Sequence, residues 1–164
     1  MRKLASALCY IAAVVAVPAF TLAAQIRHVT EITGVNGACT FYTTPLKTVS
    51  GRCARHVIEE DFNDGMLSFN YLVRGAPKRN TAIISFMGNG LLEIDRGPNY
   101  VLLPVDHIFI DSKTVDTAIA AVGTCAFGNP YAGKVPINCQ AQTGEGAFKA
   151  DFETNGSKPY FFKR

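Results

Sequence analysis

Apolar and polar residues alternate over several stretches of the chain. Leu67, Phe69, Tyr71 and Val73 stand against Ser68 and Asn70. Val135, Ile137, Cys139 and Ala141 stand against Lys134, Asn138, Gln140 and Gln142, and Phe148, Ala150 and Phe152 against Lys149, Asp151 and Glu153. A period of two is that of a strand with one face on a core. Asp64-Gly65 lies between segments 54–62 and 66–73, and Asn89-Gly90 between 81–87 and 91–95. Both dipeptides predict tight hairpins. Gly75-Ala76-Pro77, Arg96-Gly97-Pro98-Asn99 and Gly128-Asn129-Pro130 are further breaks. Residues 114–122 are rich in alanine, yet Val115, Thr117, Ile119 and Ala121 alternate, which predicts a strand leading into Cys125. Pro104, inside 100–111, should bend its strand or keep it at an edge. About ten short strands at such spacing predict an all-β domain, an antiparallel sandwich or a small barrel. The alternation does not separate these two.

The first residues follow another pattern. Arg2 and Lys3 precede an uncharged run over residues 4–24, with Pro18 late in it and the small residues Thr21 and Ala23 near its end. This predicts a secretory signal peptide over 1–24, cleaved near Ala23 or Ala24, and an exported domain over 25–164. The rival is an uncleaved anchor, since the run could just span a bilayer. Cleavage removes Cys9 and leaves Cys39, Cys53, Cys125 and Cys139. An even number of cysteines in a small exported domain predicts disulfides. Cys39 with Cys53 and Cys125 with Cys139 is the favoured pairing, because each pair encloses 13 residues and begins in a similar local sequence. Closing a loop of that size is worth about 3 kcal/mol in the chain-entropy model. No Cys-x-x-Cys spacing suggests zinc.

Gly37-Ala38-Cys39-Thr40-Phe41 recurs as Gly123-Thr124-Cys125-Ala126-Phe127, and Phe86-Met87-Gly88-Asn89-Gly90 is echoed by Phe152-Glu153-Thr154-Asn155-Gly156. The first copy is 20 residues longer between its second cysteine and its phenylalanine. A divergent duplication follows as an expectation, with half-repeats over 34–96 and 120–164 and an added hairpin in the first.

The whole chain has 164 residues, 48% of them hydrophobic and 18% charged, no tryptophan, and a formal charge of +3. These values exclude a disordered chain and a polytopic membrane protein. Without Arg2 and Lys3 the charge falls to +1. Arg52, Arg55, Lys78 and Arg79 then make no basic stripe for nucleic acid.

Candidate chemistry is sparse. Glu59, Glu60, Asp61 and Asp64 are the densest charge, but they lack the Asp-x-Asp-x-Asp-Gly spacing of a calcium loop and read as a solvated hairpin tip. Asp106-His107 could supply a base with an orienting carboxylate, joined by His28 or His56. Adjacent strand residues point to opposite faces, so Asp106 is not expected to orient His107. None of Ser50, Ser68, Ser85, Ser112 or Ser157 sits in a Gly-x-Ser-x-Gly elbow. Phe41, Phe62, Phe69, Tyr71, Phe86, Phe127, Phe148 and Phe152 read as a core around two disulfides. Tyr160, Phe161 and Phe162 read as a final strand docked on the sheet. Asn155-Gly156-Ser157 matches a glycosylation sequon and equally makes a turn.

The expectation is an exported, non-catalytic binding protein of the periplasm or extracellular space, without cofactor or metal. Its partner would be another envelope or extracellular protein, not nucleic acid, and no stable membrane anchor would remain after cleavage. One alternative is a small-molecule or lipid carrier, which needs a cavity of about 300 Å³ or more. Another is a hydrolase using His107 or His56 with Asp61 or Asp64.

Overall fold

The computed structural model describes residues 27–45, 51–75, 81–97, 100–113 and 116–162; the leader expected over 1–24 lies outside them. Ten strands follow one another: β1 (Val29–Thr43), β2 (Gly51–Phe62), β3 (Met66–Gly75), β4 (Thr81–Asn89), β5 (Ile94–Asp95), β6 (Val101–Ser112), β7 (Asp116–Phe127), β8 (Pro136–Thr143), β9 (Gly146–Thr154) and β10 (Tyr160–Phe161). β8 shows the expected alternation most cleanly, with Ile137, Cys139, Ala141 and Thr143 buried and the residues between them exposed.

Eight strands pair antiparallel in the order β1, β2, β3, β4, β6, β7, β8, β9, and β9 returns to β1, closing an up-and-down barrel. The choice between sandwich and barrel is thereby decided. Register shifts in β1, β2 and β6 bend the long strands around the closure. An eight-stranded barrel is wide enough for side chains to fill it or for one small ligand, and here large side chains occupy the interior. Phe69, Tyr71, Phe86, Phe148 and Phe152 are essentially inaccessible, as are Ile84, Leu103, Ile108 and Ile110. The Tyr71 hydroxyl crosses the core to donate to the Ile137 carbonyl at 3.1 Å, and its ring meets Phe86 edge-on.

Both expected disulfides are present, each joining consecutive strands from the inside. Cys39 of β1 bonds Cys53 of β2 with Cα atoms 5.8 Å apart; Cys125 of β7 bonds Cys139 of β8, directly opposite it, with Cα atoms 4.0 Å apart. Two intramolecular disulfides fit an oxidising environment.

Several local expectations are corrected. Asp64-Gly65 turns β2 into β3, with Gly65 at φ +81°, but Asn89-Gly90 makes no hairpin. Asn89 instead caps a short 3-10 turn, its side chain accepting from the Leu91 amide at 2.9 Å, and β4 pairs with β6. The two-residue β5 joins the far end of β6. Pro104 does not sit at a sheet edge; β6 lies inside the barrel wall and shifts register just beyond Pro104, between Val105 and His107. The Pro104 carbonyl lies where a Cβ of residue 88 would stand, so only glycine fits there. Segment 116–127 is a strand, as expected. Between Cys53 and Phe86 lie the rest of β2, all of β3, which pairs antiparallel with β2, and the first part of β4. The tail docks: Gly34 pairs with Tyr160, Thr33 with Phe161, and the Phe162 amide donates to the Ile32 carbonyl at 3.0 Å.

Replacing Cys125 by alanine opens a buried crosslink, and is expected to lower unfolding free energy in urea by about 2 to 5 kcal/mol. Equal melting temperatures for the wild type with and without reductant would contradict the framework.

Candidate functional site

With the barrel filled at its centre, the concavities among the described residues lie outside it and at one end. The outer groove, about 870 Å³, runs over β2, β3, β4 and β6. Its floor follows from register: Ser68 faces Met87, which faces His107, and Asn70 faces Ser85, which faces Phe109. Ser68, Asn70 and Ser85 are buried although they point away from the core. The alternation predicted that this face of β3 is solvated. It is covered because larger neighbours, among them Ile58, Phe62, Met66 and Met87, line the same groove. Ser68 Oγ donates to Asn70 Oδ1 at 3.4 Å.

Asp106 and His107 stand at one wall of this groove. The expectation that they point apart fails, because the register shift in β6 falls there and leaves both residues exposed on the outside. A bulge adds a residue to one strand and suspends strict alternation. His107 Nδ1 lies 2.8 Å from Asp106 Oδ1, with both side chains half-exposed. The fold does not gather the other candidates around this pair. His56 lies on β2, opposite Asn36, and the backbone amide of His28 donates to Asn63 Oδ1 at 2.9 Å in the β2–β3 turn region. Asp64 is held by Arg27 Nε at 2.7 Å. Ser50, Lys78 and Arg79 lie outside the described residues. Asn155 Oδ1 accepts from the Ser157 amide at 2.9 Å, so the sequon residues do make a turn.

The second concavity, about 500 Å³, is the barrel mouth beside the β4–β6, β7–β8 and C-terminal connections. Its chemistry arises on β2. Val57 is buried in the core, and two residues on, in phase with it, come Glu59 and Asp61. The inner face of β2 is thus apolar at mid-barrel and acidic at its end, while Glu60, out of phase, lines the outer groove. The four carboxylates read as a solvated hairpin tip are therefore divided: Asp64 caps the turn, Glu60 faces the groove, and Glu59 and Asp61 face the mouth. Glu31 stands opposite Asp61 across β1–β2. Asp95, Tyr100, Phe127, Tyr131 and Phe161 are also in the lining.

Burial pushes Glu59 up to about 7, helped by the negative charges of Asp61, Glu93 and Glu31. Burial likewise raises Asp61, with Glu31 adding to it, and raises Glu93, with Asp61 adding to it. A phase count along β2 from Val57 would have placed Glu59 and Asp61 inward. No grouping of His, Cys, Asp and Glu suited to a metal ion occurs among the described residues.

Large apolar side chains are exposed at the same end of the barrel, and Tyr100, Tyr131 and Phe161 among them line the mouth. Eight are exposed among the described residues, and seven lie at this end: Leu91, Leu92, Ile94 and Tyr100 between β4 and β6, Tyr131 between β7 and β8, and Phe161 and Phe162 at the tail. The eighth is Val122, on β7. Compared with protein-family models, with curated proteins and with solved structures, the chain finds no match.

The acidic mouth makes stability depend on pH in a defined direction. Glu59 binds its proton more tightly folded than unfolded, so its contribution is full below about pH 4.5 and is lost as pH rises through about 7. One pKa unit is about 1.4 kcal/mol. With water reaching the cleft, the loss is set at about 2 kcal/mol. The melting temperature should be higher at pH 5.5 than at pH 8, and Glu59→Gln should flatten the difference. A wild-type melting temperature that is equal or higher at pH 8 would contradict this electrostatic account.

Proposed function

We propose that the protein is an exported, non-catalytic binding protein of the envelope or extracellular space, which meets another protein through the loop-bearing end of its barrel. The observation that carries this reading is the collection of exposed apolar side chains around one mouth. Single surface leucines are ordinary, but a cluster of large apolar groups rimmed by polar ones marks an interaction surface. Aromatic residues are favoured in such surfaces. The filled core supports the reading by offering a rigid scaffold rather than an internal ligand chamber. The leader over 1–24 and the two disulfides support export to the periplasm or beyond.

The test combines native mass spectrometry with a surface variant. Wild-type protein taken from its own host's envelope fraction should retain a stoichiometric protein partner. Leu92→Ser combined with Tyr131→Ser should lose it while stability changes by no more than about 0.5 kcal/mol per site. A partner retained equally by the double variant, or no partner on the wild type, would overturn the reading.

One observation favours a second reading. The His107–Asp106 contact beside the outer groove is the geometry of an oriented base. A hydrolase acting there should lose activity in His107→Ala; activity on a hydrolase panel unchanged by that substitution would dispose of it.

A further inference from the structure

We infer that the barrel mouth receives a lysine or arginine side chain of the protein partner, which enters between the carboxylates of Glu31, Glu59 and Asp61 while the apolar rim seats the surface around it. The inference rests on the binding reading above and specifies its chemistry.

Three observations converge. The first is charge placed against charge. Glu31 and Asp61 are directly opposed on neighbouring strands, and Glu59 follows on the same inner face. Like charges across a ladder destabilise it. The ion pairs among the described residues join Arg27 to Asp64, Lys149 to Asp151, and His107 to Asp106, and none of them reaches these three carboxylates. Burial is the main cause that raises Glu59, Asp61 and Glu93, and neighbouring carboxylates add to it: Asp61, Glu93 and Glu31 on Glu59, Glu31 on Asp61, and Asp61 on Glu93. A cation entering the mouth would convert that repulsion into attraction, in a cleft where apolar walls such as Val101 and Phe127 strengthen it.

The second observation is the aromatic lining. Tyr100 and Tyr131 border the same cleft as the carboxylates. An organic cation gains from a ring face as well as from a carboxylate, whereas a bare metal ion needs a convergent ligand set that these residues do not form. The third is the apolar rim outside the cleft, with Leu92 and Tyr131 both largely exposed. A free amine would leave that rim unused. A protein presenting one basic side chain from an apolar patch would cover both. An anionic lipid surface is disfavoured, because the carboxylates would face it with like charge.

Defined probes stand in for the partner in the test. Isotope-labelled protein, residues 25–164, is titrated with three of them while amide shifts are followed: a short peptide with one lysine between leucines, its norleucine counterpart, and n-butylammonium. The lysine peptide should give saturable shifts at Glu59, Tyr100 and Tyr131, and should bind at least about tenfold more tightly than either other probe. Glu59→Gln combined with Asp61→Asn should abolish that advantage, and since the substitutions remove repulsion they should leave the fold intact. Equal binding of the lysine and norleucine peptides, or no saturable shift at the mouth, would overturn the inference. Butylammonium binding as tightly as the peptide would overturn it in favour of a free amine. The two proposals fail separately: an envelope partner lost in Leu92→Ser/Tyr131→Ser but kept in Glu59→Gln/Asp61→Asn would sink the cation inference alone.

Discussion

Closure of the sheet between β1 and β9 is the constraint on which the rest of the structure depends. β1 is the longest strand and is shared: its first half pairs with β2, its second half pairs with β9, and the short β10 covers the edge that β9 leaves open. Without that return the sheet would present two long unpaired edges, a liability for any β domain. With it, large side chains from all around the wall meet at the axis and form the core. Gly37 shows how tightly the closure is made, since the Glu153 carbonyl of β9 lies where a side chain at that position would go. The Cys39–Cys53 bridge ties the closing strand to its other neighbour, so the seam is held covalently on one side and by hydrogen bonds on the other.

A filled barrel leaves its outer wall and its two ends as surfaces for function. The end bearing the 90–100, 128–135 and C-terminal segments differs from the wall because apolar exposure and negative charge coincide there. The fold produces the coincidence economically: the inward phase of β2 that supplies Val57 to the core also carries Glu59 and Asp61 to the rim, where burial is incomplete. The like charges of Glu31, Glu59 and Asp61 weaken the fold at this mouth, and the cation proposed to enter there would relieve that repulsion. The outer groove has a different character, with a polar floor between apolar walls, and its Asp106–His107 contact exists only because a bulge interrupts β6.

Much of the architecture is legible from local pattern. The alternation in β8 and β9 and the equal spacing of the two cysteine pairs lead directly to strands, burial and disulfides. What escapes is non-local. The β1–β9 seam joins residues as far apart as Thr40 and Asp151, whose side-chain and backbone oxygens lie 3.3 Å apart, and no local signal marks such a partner. Asn89-Gly90 has the composition of a hairpin turn, yet the Asn89 side chain is used as a cap and Gly90 donates to the Gly65 carbonyl at 2.8 Å, which ties the connection to the β2–β3 turn instead. Ser68 and Asn70 look solvated by composition but are covered by residues from β2 and β4 that only the folded sheet brings beside them. At the mouth, the acidic residues stand out as a run, and their division between two faces depends on the phase of β2.

Hydrogen exchange at the seam tests the account most directly. In a closed barrel the hydrogen-bonded amides shared by β1 and β9, in the segments 37–43 and 149–154, exchange as slowly as those of the β3–β4 ladder, through global unfolding alone. Protection of both ladders with one common free energy is the predicted result. Seam amides that exchange rapidly, at rates typical of free strand edges, while β3–β4 stays protected would mean an open sheet and would contradict the filled barrel from which the functional reading follows.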